Sequence, residues 1–182
     1  MIETVGFLEF SSIAKGIEAA DAGLKAAHVE LVFSKTVCPG KYNLLYTGEV
    51  SAVKEALEAG EQVGGVYLVD SVLIPRVHPQ VISSIYQATE PDLHGAVGII
   101  EFYSVAGAVY AADAAVKAAE VTLLDIRLGI GIGGKSVVIL MGEVAAVTEA
   151  VHAGCAVGID KGMLVSKVVI PNPRPEILGS LL

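Results

Sequence analysis

Cys38 is the residue of this chain best placed to do chemistry. It lies in Ser34-Lys35-Thr36-Val37-Cys38-Pro39-Gly40-Lys41. Pro39 fixes its own φ and removes a backbone N–H, and Gly40 reaches conformations closed to other residues, so the turn is stiff. A thiol held on such a turn is a ligand for a soft metal such as zinc, or an inert side chain. An iron–sulfur cluster takes about four thiolates. The chain has two cysteines and no Cys-x-x-Cys, so its residues alone do not support a cluster. The other cysteine, Cys155, sits in the apolar stretch Val151-His152-Ala153-Gly154-Cys155-Ala156-Val157 and reads as core.

The second candidate is the glycine-rich stretch Gly129-Ile130-Gly131-Ile132-Gly133-Gly134-Lys135-Ser136. It fits G-x-G-x-x-G, but a dinucleotide cradle needs a helix straight after it. The residues that follow, Val137-Val138-Ile139-Leu140, read as a strand. The bland reading is preferred, in which glycines let backbones approach closely. His28 and His152 are lone histidines with surface or capping roles. Glu9 and Glu101 recur at strand ends, as a repeated structural contact would. No carboxylate pair, Ser/His/Asp set or His-rich set stands out, so an enzyme is not expected.

The composition narrows the class. Of 182 residues, 53% are hydrophobic and 18% charged, with mean hydropathy +0.65. That is too apolar for a disordered chain. No apolar run is long enough to span a membrane. Met1-Ile2-Glu3-Thr4 is not a signal peptide, so a cytoplasmic location is expected. Extensive contacts between subunits would absorb the excess apolar area. The net charge is −8 and no basic cluster is present, which argues against nucleic acid.

These residues are positioned by a tandem repeat. Val5-Gly6-Phe7-Leu8-Glu9-Phe10 returns as Val97-Gly98-Ile99-Ile100-Glu101-Phe102. Ala19-Ala20-Asp21-Ala22 returns as Ala111-Ala112-Asp113-Ala114, and Lys25-Ala26-Ala27 as Lys117-Ala118-Ala119. Between Val5–Leu31 and Val97–Leu123, 15 of 27 positions are identical. Gly40-Lys41 then matches Gly134-Lys135, Gly48-Glu49-Val50 matches Gly142-Glu143-Val144, and Ile74-Pro75 matches Ile170-Pro171. The boundary falls in a polar linker near Thr89–Gly95, giving domains of 1–90 and 95–182.

Each copy predicts the order β-α-β-β-α-β of the ferredoxin-like α/β (α+β) folds. In the first copy the strands are Thr4–Phe10, Val29–Ser34, Tyr42–Thr47 and Val66–Ile74. Helices run from a Ser11 or Ser12 cap to about Ala27, and over Glu49–Gly60. Thr36–Gly40 is a loop. Helices would cover one sheet face, leaving the other for a partner or partly wet.

In these features the chain resembles the tandem-domain shell proteins of bacterial microcompartments. The resemblance rests on the opening Val-Gly-(Phe/Ile)-(Leu/Ile)-Glu, the helix Ala-Asp-Ala-x-x-Lys-Ala-Ala, the Gly-Lys segment and the Gly-Glu-Val helix start, and it covers the chain twice. It implies a homotrimer shaped as a pseudohexamer, tiling edge to edge with other shell proteins in a shell within the cytoplasm. It implies tile-edge roles for Lys25 and Lys117, and for Arg76 and His78 of Pro75-Arg76-Val77-His78. The second copy departs there, reading Pro171-Asn172-Pro173-Arg174. It implies a central pore lined by Val37, Cys38, Pro39 and Gly40 from one loop and by Gly131, Ile132, Gly133 and Gly134 from the other.

The Cys38 loop and Gly131-Ile132-Gly133-Gly134-Lys135 resemble a branch of that family with a [4Fe–4S] cluster on the trimer axis. The resemblance therefore implies one cluster per trimer, held by three Cys38 thiolates, with the fourth iron ligated by other means. Lys35 and Lys41 would offset its negative charge if they pointed inward. Electron passage across the shell and a redox partner, a flavoprotein or iron–sulfur protein, would follow. The alternative is a tile with a plain metabolite pore, Cys38 being incidental.

Overall fold

The computed structural model describes residues 4–86, 94–160 and 162–179. The expected linker residues Glu90-Pro91-Asp92 lie outside the described residues. Two compact units are present. The first comprises Met1–Val77, Ser104–Ala106 and Gly129–Gly134; the second comprises His78–Tyr103, Gly107–Leu128 and Lys135–Leu182. The segments of the two units thus alternate along the sequence, and the glycine-rich loop belongs with the first. No described helix is long and apolar enough to cross a membrane.

In the first unit β1 (Thr4–Phe10), α1 (Ile13–Ala26), β2 (Glu30–Val37), β3 (Lys41–Thr47), α2 (Val50–Gly64) and β4 (Leu68–Pro75) follow in order. The sheet order is β2-β3-β1-β4, antiparallel throughout. Ser12 caps α1, its side chain accepting from the Lys15 N–H at 3.4 Å. Strand β1 alternates its faces. Leu8 and Phe10 join Ala19, Ala20, Tyr42, Leu44, Tyr46, Val53, Ala56 and Leu57 in a core beneath the helices. Tyr46 ties sheet to helix, its hydroxyl donating to the Ala20 carbonyl at 3.0 Å. Burial, and then the charge of Asp21, push its pKa up to about 12. The opposite face is dry: Phe7 and Leu45 are fully buried, and Phe7 meets Phe33 edge-on at 5.9 Å.

The second unit opens with α3 (Pro79–Ile85), then β5 (Ala96–Phe102), α4 (Val105–Ala118), whose first turn lies in the first unit, and β6 (Thr122–Leu128). It continues with β7 (Ser136–Gly142), α5 (Val144–Asp160), β8 (Leu164–Ile170) and α6 (Pro175–Leu178). Its sheet, β6-β7-β5-β8, repeats the first. Val97, Leu124, Ile139 and Met141 form a second small core, with Leu178 of α6 packed against it.

The expected β-α-β-β-α-β order is present twice, with differences at element ends. Strand β2 runs on to Val37, because Thr36 and Val37 pair in register with Tyr42 and Lys41. The first loop thus shrinks to Cys38-Pro39-Gly40. Helix α2 continues to Gly64, four residues beyond the expected Gly60. Helices α3 and α6 were not expected. Each begins with a proline at its first position, where the missing N–H costs nothing.

Candidate functional site: two loops and the glutamate beneath them

Cys38, Pro39 and Gly40 form the tip of the β2–β3 hairpin. The Gly40 N–H donates to the Val37 carbonyl at 2.9 Å, and the Cys38–Pro39 peptide is cis. Val37 is 5% exposed inside β2, whereas Cys38 is partly exposed and Pro39 and Gly40 are exposed.

The stretch Gly129–Gly134 packs on this tip. A Cβ on Gly134 would stand 2.4 Å from the Cys38 carbonyl oxygen and 2.6 Å from Pro39 Cδ. Gly134 also has φ +75°, so only glycine fits on both counts. Gly129 lies against Val37. Gly131 and Gly133 are exposed and Ile132 is partly so. The structure thus brings the two loops together, and Ser136 begins a strand, not the helix a phosphate cradle requires.

Beneath the loops lies Glu9, fully buried. One carboxylate oxygen meets Lys41 Nζ at 2.9 Å. The other accepts from the Val105 N–H at 2.7 Å and the Ala106 N–H at 3.4 Å, in the first turn of α4. A carboxylate here meets both a cation and the positive end of the helix dipole. Beside it, Ser104 donates its hydroxyl to Asp70 at 2.6 Å. Lys41 also approaches the Gly134 carbonyl at 3.5 Å, joining the glutamate to the glycine loop. Sequence reasoning took Glu9 for a structural contact and missed that it supports both loops. The signal was present as a recurring Glu…Lys pair, since Glu101 and Lys135 pair again at 2.5 Å.

Lys41 is committed to Glu9, and Lys35 lies over the Phe33 ring, 4.6 Å from its centroid.

Among the described residues no three His, Cys, Asp or Glu side chains gather as a metal set. One chain offers one accessible thiol, Cys38. That donor set fits a group shared between copies and does not fit a metal site inside a single chain. Cys155 is fully buried, and burial raises its thiol pKa, with Lys167 opposing. It is core, as expected. His28 and His152 are exposed.

Of the tile-edge candidates, Lys25 is exposed and pairs with Asp21 at 2.5 Å. Lys117 pairs with Asp113 at 2.5 Å. His78 joins the latter pair, its backbone N–H donating to Asp113 at 2.8 Å. Arg76 is exposed, with φ +51°.

Comparison with known proteins agrees with this architecture. The model of the BMC domain matches residues 4–77 and again 96–173. The bacterial microcompartment shell protein PduT of Citrobacter freundii is 45% identical over 177 residues, covering 97% of this chain and 96% of that protein. The crystal structure of a microcompartments protein from Desulfitobacterium hafniense DCB has a TM-score of 0.84 and 48% identity, covering 98% of this chain and 99% of that one. The fused permuted hexameric shell protein MSM0275 from the RMM microcompartment has a TM-score of 0.63 and 26% identity, covering 84% of this chain and 79% of that one. With the domain matched twice and near full-length identity to a shell protein, the chain belongs to the BMC-domain family of bacterial microcompartment shell proteins, as a member that carries two copies of the domain.

Proposed function

We propose that the chain is a shell tile, assembled from three copies, whose central opening is ringed by the two loops and holds a [4Fe–4S] cluster through Cys38. One observation carries the reading: the partly exposed Cys38 sits on a turn clamped by Gly134 from the second repeat of the same chain. Three such turns around an axis supply three thiolates. The remaining iron takes a ligand from outside this set.

When bound, the group supplies one-electron transfer, which would let a redox partner on one side of the shell exchange electrons with the other. The chain's own residues hold the thiol in place. Pro39 stiffens the turn, Gly134 buttresses its backbone, and the Glu9–Lys41 pair fixes the strands that carry it.

Protein purified without oxygen, with iron and sulfide supplied, is expected to be brown. It should contain about four irons per three chains. Cys38→Ser should be colourless and keep the mass of the assembly. A colourless wild-type preparation would favour the plain metabolite pore. Colour persisting in Cys38→Ser would place the ligand elsewhere.

A further inference from the structure

The two repeats part company on the outer surface of their second helices. In the first, Lys54 and Glu58 stand one turn apart on α2 and pair at 3.8 Å. Both side chains stay exposed, although Asp70, Val72 and Ile74 of the edge strand β4 are buried. On α5 the corresponding residues are Thr148 and His152. Strand register supplies the other change. Ser71 of β4 lies opposite Leu8, and Lys167 of β8 lies opposite Ile100, so a lysine replaces a serine on the edge strand. The second repeat has lost an acid here and moved its lysine from the helix to the strand.

These residues line a groove in the second unit. Between α5 and the edge strand β8, Thr148, Val151, His152, Lys167, Val168 and Val169 enclose about 260 Å³. Val151 is buried and gives the groove an apolar bottom, whereas Thr148, His152 and Lys167 are exposed at its rim. Burial raises the Cys155 thiol pKa and Lys167 opposes that rise, which places the ammonium close to α5. Thr148 spends its hydroxyl proton on the Val144 carbonyl at 2.7 Å. The donors left to a ligand are the Lys167 ammonium and the His152 ring. Among the described residues no carboxylate lines the groove, and none pairs with Lys167.

We infer that this groove binds a small organic anion, its charged group held by Lys167 and His152 and its short aliphatic body lying on Val151. The chemical class is a phosphate monoester. Its oxygens accept from an ammonium and an imidazole N–H at the same time, and charge-assisted hydrogen bonds of this kind are the strong ones. The volume is below that of pockets for drug-sized ligands, so the body is short. The chain carries a net charge of −8, which repels anions at large, and capture depends on these local cations. The first repeat offers no such site, because its lysine is already paired and Glu58 would repel the ligand. The groove is complete within one unit of one chain, so this inference does not rest on the tile reading.

Calorimetric titration with n-butyl phosphate at constant ionic strength tests it, with circular dichroism to check that each variant folds. The ring resonances of the four histidines locate the ligand, His152 being the signal lost in His152→Gln. The His152 signal should shift saturably while those of His28 and His78 stay in place. Inorganic phosphate should bind about 10-fold more weakly, since the butyl group takes about two methylenes out of water on Val151. Lys167→Ser should weaken butyl phosphate at least about 10-fold, through loss of a charged hydrogen bond. Thr148→Lys with His152→Glu restores the residues of the first repeat and should abolish binding. The inference is overturned if the His152 signal does not move. It is overturned equally if Lys167→Ser, or the double variant, binds butyl phosphate as tightly as wild type.

Discussion

Gly134→Ala is expected to destabilise the protein by about 2–5 kcal/mol, measured by denaturant unfolding at fixed protein concentration. Two costs combine. The left-handed conformation at φ +75° is unfavourable for any residue with a Cβ, by about 1–2 kcal/mol. The new methyl also meets the Cys38 carbonyl oxygen at 2.4 Å and Pro39 Cδ at 2.6 Å. Those atoms belong to a backbone turn and a ring, so neither swings aside as a flexible side chain would. Gly131→Ala separates the two costs. Gly131 has the same φ of +75°, but its Cβ would meet nothing within 4 Å. It should show the conformational cost alone. Equal losses for the two variants would mean that the loops do not press on each other as described.

Glu9→Ala is expected to cost about 3–5 kcal/mol in the same measurement. The loss leaves Lys41 without its counter-charge and removes the acceptor of two N–H groups at the start of α4. Glu9→Gln should cost less, because an amide oxygen in the place of that carboxylate oxygen still accepts from both N–H groups. The matching change in the second copy behaves differently. Glu101 and Lys135 are both partly exposed, so Glu101→Ala should cost much less than Glu9→Ala. A Glu9→Ala protein as stable as wild type would show that the buried carboxylate is not what joins β1 to α4.

Much of the fold was legible because the repeat marks its own elements. Apolar runs such as Val5–Phe10 and Val97–Phe102 mark the first strands, and Gly48 and Gly142 mark where the third strands give way to helices. The end of β2 was harder to read. Thr36 and Val37 look like the start of a loop beside Pro39, yet they continue the ladder against Tyr42 and Lys41. The short helices α3 and α6 carry too few residues to show a period, and their only signal is the proline at the first position.

The candidate site divides the same way. Cys38 stood out through its turn residues, and the glycine loop stood out through its composition. Their meeting did not, because Cys38 and Gly134 lie far apart in the chain. Glu9 and Val105 are separated by 96 positions, and no local pattern announces such a bond. The orientation of Lys35 and Lys41 was unreadable for a related reason. A lysine's reach is set by its neighbours in space, here Phe33 and Glu9.

A nitroxide attached at Cys38 tests most directly whether three copies gather their first loops around one axis. Cys155 is buried, with its thiol pKa raised by that burial, so the folded protein takes the label at residue 38. Threefold closure predicts strong dipolar broadening of the frozen-solution EPR spectrum, lost when labelled chains are reassembled with an excess of unlabelled Cys38→Ser chains. A sharp spectrum from fully labelled, assembled protein would contradict it.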